Sequence, residues 1–142
     1  MRIFRFPCER LGRHYPWRKP TEEFLRWGVC DDFMQRPPFV FPRWIYPEVR
    51  AHALHIHGVD IETYILAQPP RCFSEYNVLG AFAWARHHER FEWRDTSVSP
   101  PGEPHCRWYW SWGGINDAIR SEIRSILESP DDGAMNHGSE TI

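Results

Sequence analysis

Thirteen prolines in 142 residues, several of them doubled, limit how far any one element of this chain can run. Proline lacks the amide proton that a helix interior or a strand ladder needs, and it pushes the preceding residue out of helical geometry. Pro37-Pro38, Pro69-Pro70 and Pro100-Pro101 cut the chain into pieces, and nine glycines add turn positions. The pattern predicts short elements joined by many turns rather than a helical bundle. A core made from short pieces needs bulky side chains. The sequence supplies eight Trp, nine Phe and five Tyr, each able to remove roughly 150–250 Å² from water. A chain of this length buries about 70% of its unfolded surface as one domain and needs neither disulfide nor metal merely to fold.

Residues 1–6 alternate and read as a short strand stopped by Pro7. Thr21 is in place to cap a helix carrying Glu22, Glu23, Phe24, Leu25 and Trp27, which Phe33 and Met34 extend to about residue 36. Phe39-Val40-Phe41 and Arg43 to Tyr46 look like edge-strand pieces bounded by Pro42 and Pro47. The stretch from Val49 to Leu66 reads as two strands turning near Gly58-Val59-Asp60. Ser74 caps a helix from Glu75 to about Arg90. Phe91–Arg94 and Arg107–Trp112 suggest a hairpin around the proline-rich loop at 100–104. A last amphipathic helix, about 116–128, carries Ile119, Ile123, Ile126 and Leu127 on one face and ends before Pro130. The sum is an α+β fold: a mainly antiparallel sheet with about three helices (near residues 21–36, 75–90 and 116–128) packed on it. One domain is expected over residues 1–128, followed by a flexible tail over 129–142.

The formal charge of −2 gives no global case for a nucleic-acid or anionic-membrane partner, but its distribution is uneven. Residues 1–20 hold an excess of five positive charges, so the rest of the chain carries −7. All but one of the seventeen basic residues are Arg, the side chain suited to bidentate pairing and to stacking on rings. Cys8, Cys30, Cys72 and Cys106 are widely spaced, with no Cys-x-x-Cys pair, which predicts free thiols in a reducing compartment. No apolar run reaches signal-peptide or membrane-spanning length, so the expected location is cytoplasmic, away from any membrane.

The sharpest chemical suggestion lies in His55, His57 and Glu62. On a strand, residues two apart project from one side, and two imidazoles with a carboxylate make a metal-ligand set. His55-x-His57-x4-Glu62 and the later Pro100-x-Gly102-x2-His105 together resemble the two short motifs of the cupin family. That resemblance implies a β-barrel in which His55, His57, Glu62 and His105 hold a divalent transition metal such as Fe or Zn, with metal-dependent oxygen or isomerase chemistry at an open position. The first fragment lacks the leading Gly of that motif, and Tyr109 stands where the second would close on Asn.

Other catalytic signatures are missing: the chain has no Gly-x-Ser-x-Gly elbow and no Gly-rich phosphate loop after a strand. Trp108, Trp110 and Trp112 alternate. With the basic N-terminal segment they could stack single-stranded nucleic acid, although a sheet face for the last helix explains the row more simply. The leading expectation is a small non-enzymatic protein, of an accessory or virus-encoded kind, that needs no cofactor and modulates a larger protein partner. Its contact surface would be rich in aromatic and Arg side chains, the types enriched at interface hot spots. Tyr15, Trp17, Arg18, Trp44 and Tyr46, all in proline-flanked segments, are the candidates.

Overall fold

Pro20 and Pro47 both sit at the third position of a helix, where the amide proton they lack would have had no partner. The structure, a computed structural model, describes residues 1–11, 15–35, 39–98 and 115–128. Its elements are β1 (Arg2–Pro7), α1 (Arg18–Leu25), β2 (Asp31–Asp32), α2 (Ile45–His57), α3 (Ile61–Leu66), α4 (Glu75–His87), β3 (Glu92–Asp95) and α5 (Asp117–Glu128), with 3-10 turns at Cys8–Arg10 and His88–Arg90. The chain forms two compact units, residues 1–106 and 107–142; α5 is the described element of the second.

Mixed α and β content is as expected, but helices claim more of the chain. Residues 45–66, read as strand pieces, form α2 and α3. The alternation around His52 and Leu54 misled because Ile45, Val49 and Ala53, four residues apart, are the positions that α2 buries. Gly58 is no hairpin turn. It ends α2 in the left-handed region at φ 70°, its amide donating to the Leu54 carbonyl at 3.0 Å. Two residues on, the Asp60 carboxylate accepts from the Thr63 amide at 2.7 Å and starts α3.

The helix expected near 21–36 begins earlier and stops sooner. Trp17 flanks its start, Thr21 lies inside it with its hydroxyl donating to the Trp17 carbonyl at 2.6 Å, and Arg26 ends it at φ 63°. The chain then turns into β2, so Phe33 and Met34 belong to no helix. Ser74 caps α4 as read, and α4 gives way to a 3-10 turn over His88–Arg90.

Among the described residues the sheet is mixed, in the order β2-β1-β3. β1 pairs antiparallel with β2 through Phe6–Asp32 and Pro7–Asp31, and parallel with β3 from Arg2–Glu92 to Arg5–Asp95. The longer pairing is therefore the parallel one, and the strand at 92–95 finds its described partner in β1. The hairpin partner expected at 107–112, the Trp row and the tail at 129–142 lie outside the described residues.

The core of the first unit gathers Ile3 of β1, Phe24 and Leu25 of α1, Ile45, Val49 and Ala53 of α2, and Val78, Phe82 and Ala83 of α4. From Asn77 to Ala83 every residue of α4 is buried, so this helix is enclosed on all sides. Gly80 makes that possible: a Cβ there would stand 2.3 Å from Phe33 Cβ and Cγ. Gly80→Ala should destabilise the protein by about 1–3 kcal/mol through overpacking. Chemical denaturation should show this loss as a lower urea midpoint with the slope unchanged.

Candidate functional site

The histidines of α2 serve the end of another helix. Along an α-helix, residues two apart are separated by about 200°, so His55 and His57 face different ways. His55 is exposed, whereas the His57 Nε2 lies 2.7 Å from the Phe24 carbonyl and its ring stacks on Phe24 at 5.5 Å. His52, which the metal reading left out, places its Nε2 3.1 Å from the Leu25 carbonyl. The last carbonyls of a helix have no partner within it, and His52 and His57 satisfy two of them at the end of α1. Burial lowers the His52 pKa, in keeping with a neutral ring donating to that carbonyl.

Glu62, exposed on α3, is paired with Arg50. His105 lies outside the described residues. Among the described residues no group of three or more His, Cys, Asp or Glu could hold a metal, so the ligand set does not assemble there. Helices α2 and α3 also stand where the cupin resemblance implies barrel strands.

The polar groups that do converge lie where β1, β2 and the start of α4 meet. Arg5 bonds Asp31 of β2 at 2.7 Å, reaches Asp95 of β3 at 3.3 Å and stacks on Trp84 at 4.9 Å, while its Nε is buried with no hydrogen-bond partner among the described residues. One cation thereby bridges all three strands. Beside it, fully buried Asn77 accepts from the Phe33 amide at 2.8 Å and from the Tyr15 hydroxyl at 2.6 Å, and its amide donates to the Ser74 hydroxyl at 3.0 Å. Asp32 accepts from the Met34 amide at 3.0 Å and from the Gln35 side chain at 2.6 Å. Tyr15 stands 3.1 Å from the same carboxylate but has one proton for two acceptors, and the shorter contact goes to Asn77.

Burial dominates the electrostatics of this cluster. It raises the Asp32 pKa against the hydrogen bonds that favour the carboxylate, and it raises Tyr15, which the Asp32 charge pushes further. The buried Cys8 thiol is pushed up to about 12. A groove of about 80 Å³ opens alongside, with Trp27 and Trp84 among its lining residues and Cys30 and Asp31 between them in sequence.

The predicted contact residues divide. Tyr15 is turned inward, as above. Trp17 is half-buried at the start of α1, and Arg18 pairs with Glu22 at 3.0 Å. Trp44 and Tyr46 stand at the start of α2, Tyr46 exposed and Trp44 half-covered by Arg90, whose guanidinium lies 3.8 Å from the centre of its ring. Arg86, one turn earlier, lies over Trp27 at 5.5 Å. Between them His87 donates to Glu48 at 2.6 Å and meets Trp44 edge-on at 4.7 Å. Arg86 and Arg90 escaped the sequence reading. Their spacing of four on a helix was the available signal, but the Trp partners lie some forty to sixty residues away in the chain.

No protein-family model, no curated protein and no solved structure matches the chain. Among the described residues, no helix is long and apolar enough to cross a membrane.

Two results should separate these roles. His55→Ala should leave stability within about 0.5 kcal/mol, whereas His57→Ala, by orphaning the Phe24 carbonyl, should cost about 1–3 kcal/mol in urea melts. Because folding raises the Asp32 pKa, the native state binds more protons between the ordinary carboxylate value and that raised value. The Asp32 contribution is therefore full at the acid end of this window and is lost as pH rises through it. Asp32→Asn should remove that part of the decline in stability as pH rises above the ordinary carboxylate value of about 4, read as the difference between wild-type and variant urea melts across a pH series.

Proposed function

We propose that this protein is a small non-enzymatic interaction protein that binds and modulates a larger protein partner through an aromatic, Arg-rich face at the C-terminal end of α4. The observation that carries the reading is the pair of guanidiniums at Arg86 and Arg90, each laid over a half-buried indole, Trp27 and Trp44. Stacking of this kind is worth about 0.5–1 kcal/mol at an exposed site. It also holds the Arg side chain in place beforehand, so less rotamer freedom is lost when a partner docks.

Trp and Arg with a well-packed base are the composition of an interface hot spot. Exposed Tyr46 extends the aromatic surface from the start of α2. The charged side chains of the face, Arg86 and Arg90, with Glu89 between them in the chain and Glu48 already bonded to His87, suit a partner that presents carboxylates to the guanidiniums. Trp44, Tyr46 and the two Arg residues form the contact set in this reading, and the interior network of Tyr15, Asp32 and Asn77 holds the scaffold beneath.

A photo-crosslinking residue placed at position 86 or 90 of the full chain should capture one discrete protein in source cells. The same residue at exposed Ser121 should not capture it. With that protein in hand, Arg86→Glu combined with Arg90→Glu should weaken the complex at least tenfold by calorimetry while lowering the stability of the free protein by no more than the two stacks supply, about 1–2 kcal/mol. Equal capture at all positions, or an affinity insensitive to both charges, would remove this face from consideration.

A further inference from the structure

The antiparallel register of β1 and β2 runs Phe6–Asp32, Pro7–Asp31, so the next pair is Cys8 with Cys30. The backbone confirms it: the Cys8 amide donates to the Cys30 carbonyl at 2.7 Å. Residues directly opposite in an antiparallel pair have Cα atoms about 4.5–5.5 Å apart and side chains on the same face. That spacing falls inside the roughly 4.4–6.8 Å window of disulfides. Both cysteines are free thiols in this structure. The Arg18 guanidinium is within electrostatic reach of both sulfurs, and the two sulfurs are within electrostatic reach of each other.

We propose that Cys8 and Cys30 form a dithiol site that closes to an intramolecular disulfide by exchange with an oxidised low-molecular-weight thiol. Cys30 is exposed and borders the groove beside Trp27, so it meets the small disulfide first. Its thiolate attacks one sulfur, forming a mixed disulfide and releasing one small thiolate. Cys8 then loses its proton and attacks the Cys30 sulfur, expelling the second small thiolate. Both cysteines are oxidised, and the small disulfide is reduced to two thiols. The buried Cys8 thiol, held protonated at neutral pH, makes the second step the slow one.

The product would tie together two strands that the described sheet joins through only two residue pairs. Asp31 and Asp32, the next residues of β2, anchor Arg5 and the Tyr15 network, so the link fastens the part of the fold where those groups converge. A loop of this length constrains the unfolded chain enough to lower the unfolding equilibrium constant by about a hundredfold.

The test uses the full chain equilibrated in buffers of reduced and oxidised glutathione, quenched, alkylated and read by intact and peptide mass spectrometry. Wild type should lose two hydrogens and yield a Cys8–Cys30 linked peptide ahead of any link to Cys72 or Cys106. A Cys72→Ser, Cys106→Ser variant should do the same, and its oxidised form should resist urea by about the stated factor. Cys8→Ser should stop at the Cys30–glutathione adduct. A wild type that also stops at that adduct, links Cys30 to another cysteine, or stays reduced throughout the series overturns the proposal.

Discussion

A single buried amide, Asn77, holds three separate stretches of chain in one place. Its carbonyl oxygen takes the Phe33 amide and the Tyr15 hydroxyl, and its nitrogen gives a proton to Ser74, the residue that caps its own helix. With no exposed surface, Asn77 has no recourse to water, and each of those bonds is made in surroundings where leaving it unmade costs about 1–3 kcal/mol. The segment leading into α1, the segment leaving β2 and the first turn of α4 are therefore positioned by the same atom pair. Phe33, fixed there by its amide, is the residue that packs against Gly80 and lets α4 pass through the centre of the unit.

A second interior contact complements this one. Arg5 reaches carboxylates on both neighbouring strands while its guanidinium lies on Trp84, so a sheet with few paired residues is held by side chains as much as by its ladder. These polar groups point inward and are spent on one another. The cations that face outward, Arg86 and Arg90, rest on indoles whose other surfaces belong to the core. That division of Arg side chains between interior bridging and exterior stacking underlies the placement of the proposed interface at the end of α4. It also makes the interior network a scaffold rather than a reaction centre in this reading.

Several elements were legible in the sequence because local chemistry decides them. Ser74 starts α4 through its own side chain, β1 ends at Pro7, and the isoleucine spacing of α5 gives a helix over Asp117–Glu128. Others were illegible because the local signal was ambiguous. Pro47 reads as the bound of a strand piece, yet a proline in the first turn of a helix forfeits nothing. The alternation from Arg50 to His57 fits a strand until one knows that Val49 and Ala53 are the buried positions. Once that segment is helical, His55 and His57 part company and the metal reading loses its geometry. His52 and His57 find their use instead at the last carbonyls of α1, a demand set by another segment of the chain.

The sequence by itself determined a mixed α and β chain of short elements with an aromatic core, because prolines, glycines and ring count act locally and through bulk. Only the tertiary structure decided which polar side chains meet. Asp32 lies near Tyr15 in the chain, but Asn77 is some forty-five residues beyond Asp32, and Arg90 is as far from Trp44. Cys8 and Cys30 are likewise strangers in sequence and become opposite residues only through the register of β1 and β2. Pairings of that kind depend on how elements pack after they form, and hydrogen bonds and ring contacts are too short-ranged to be written in the spacing of residues along the chain.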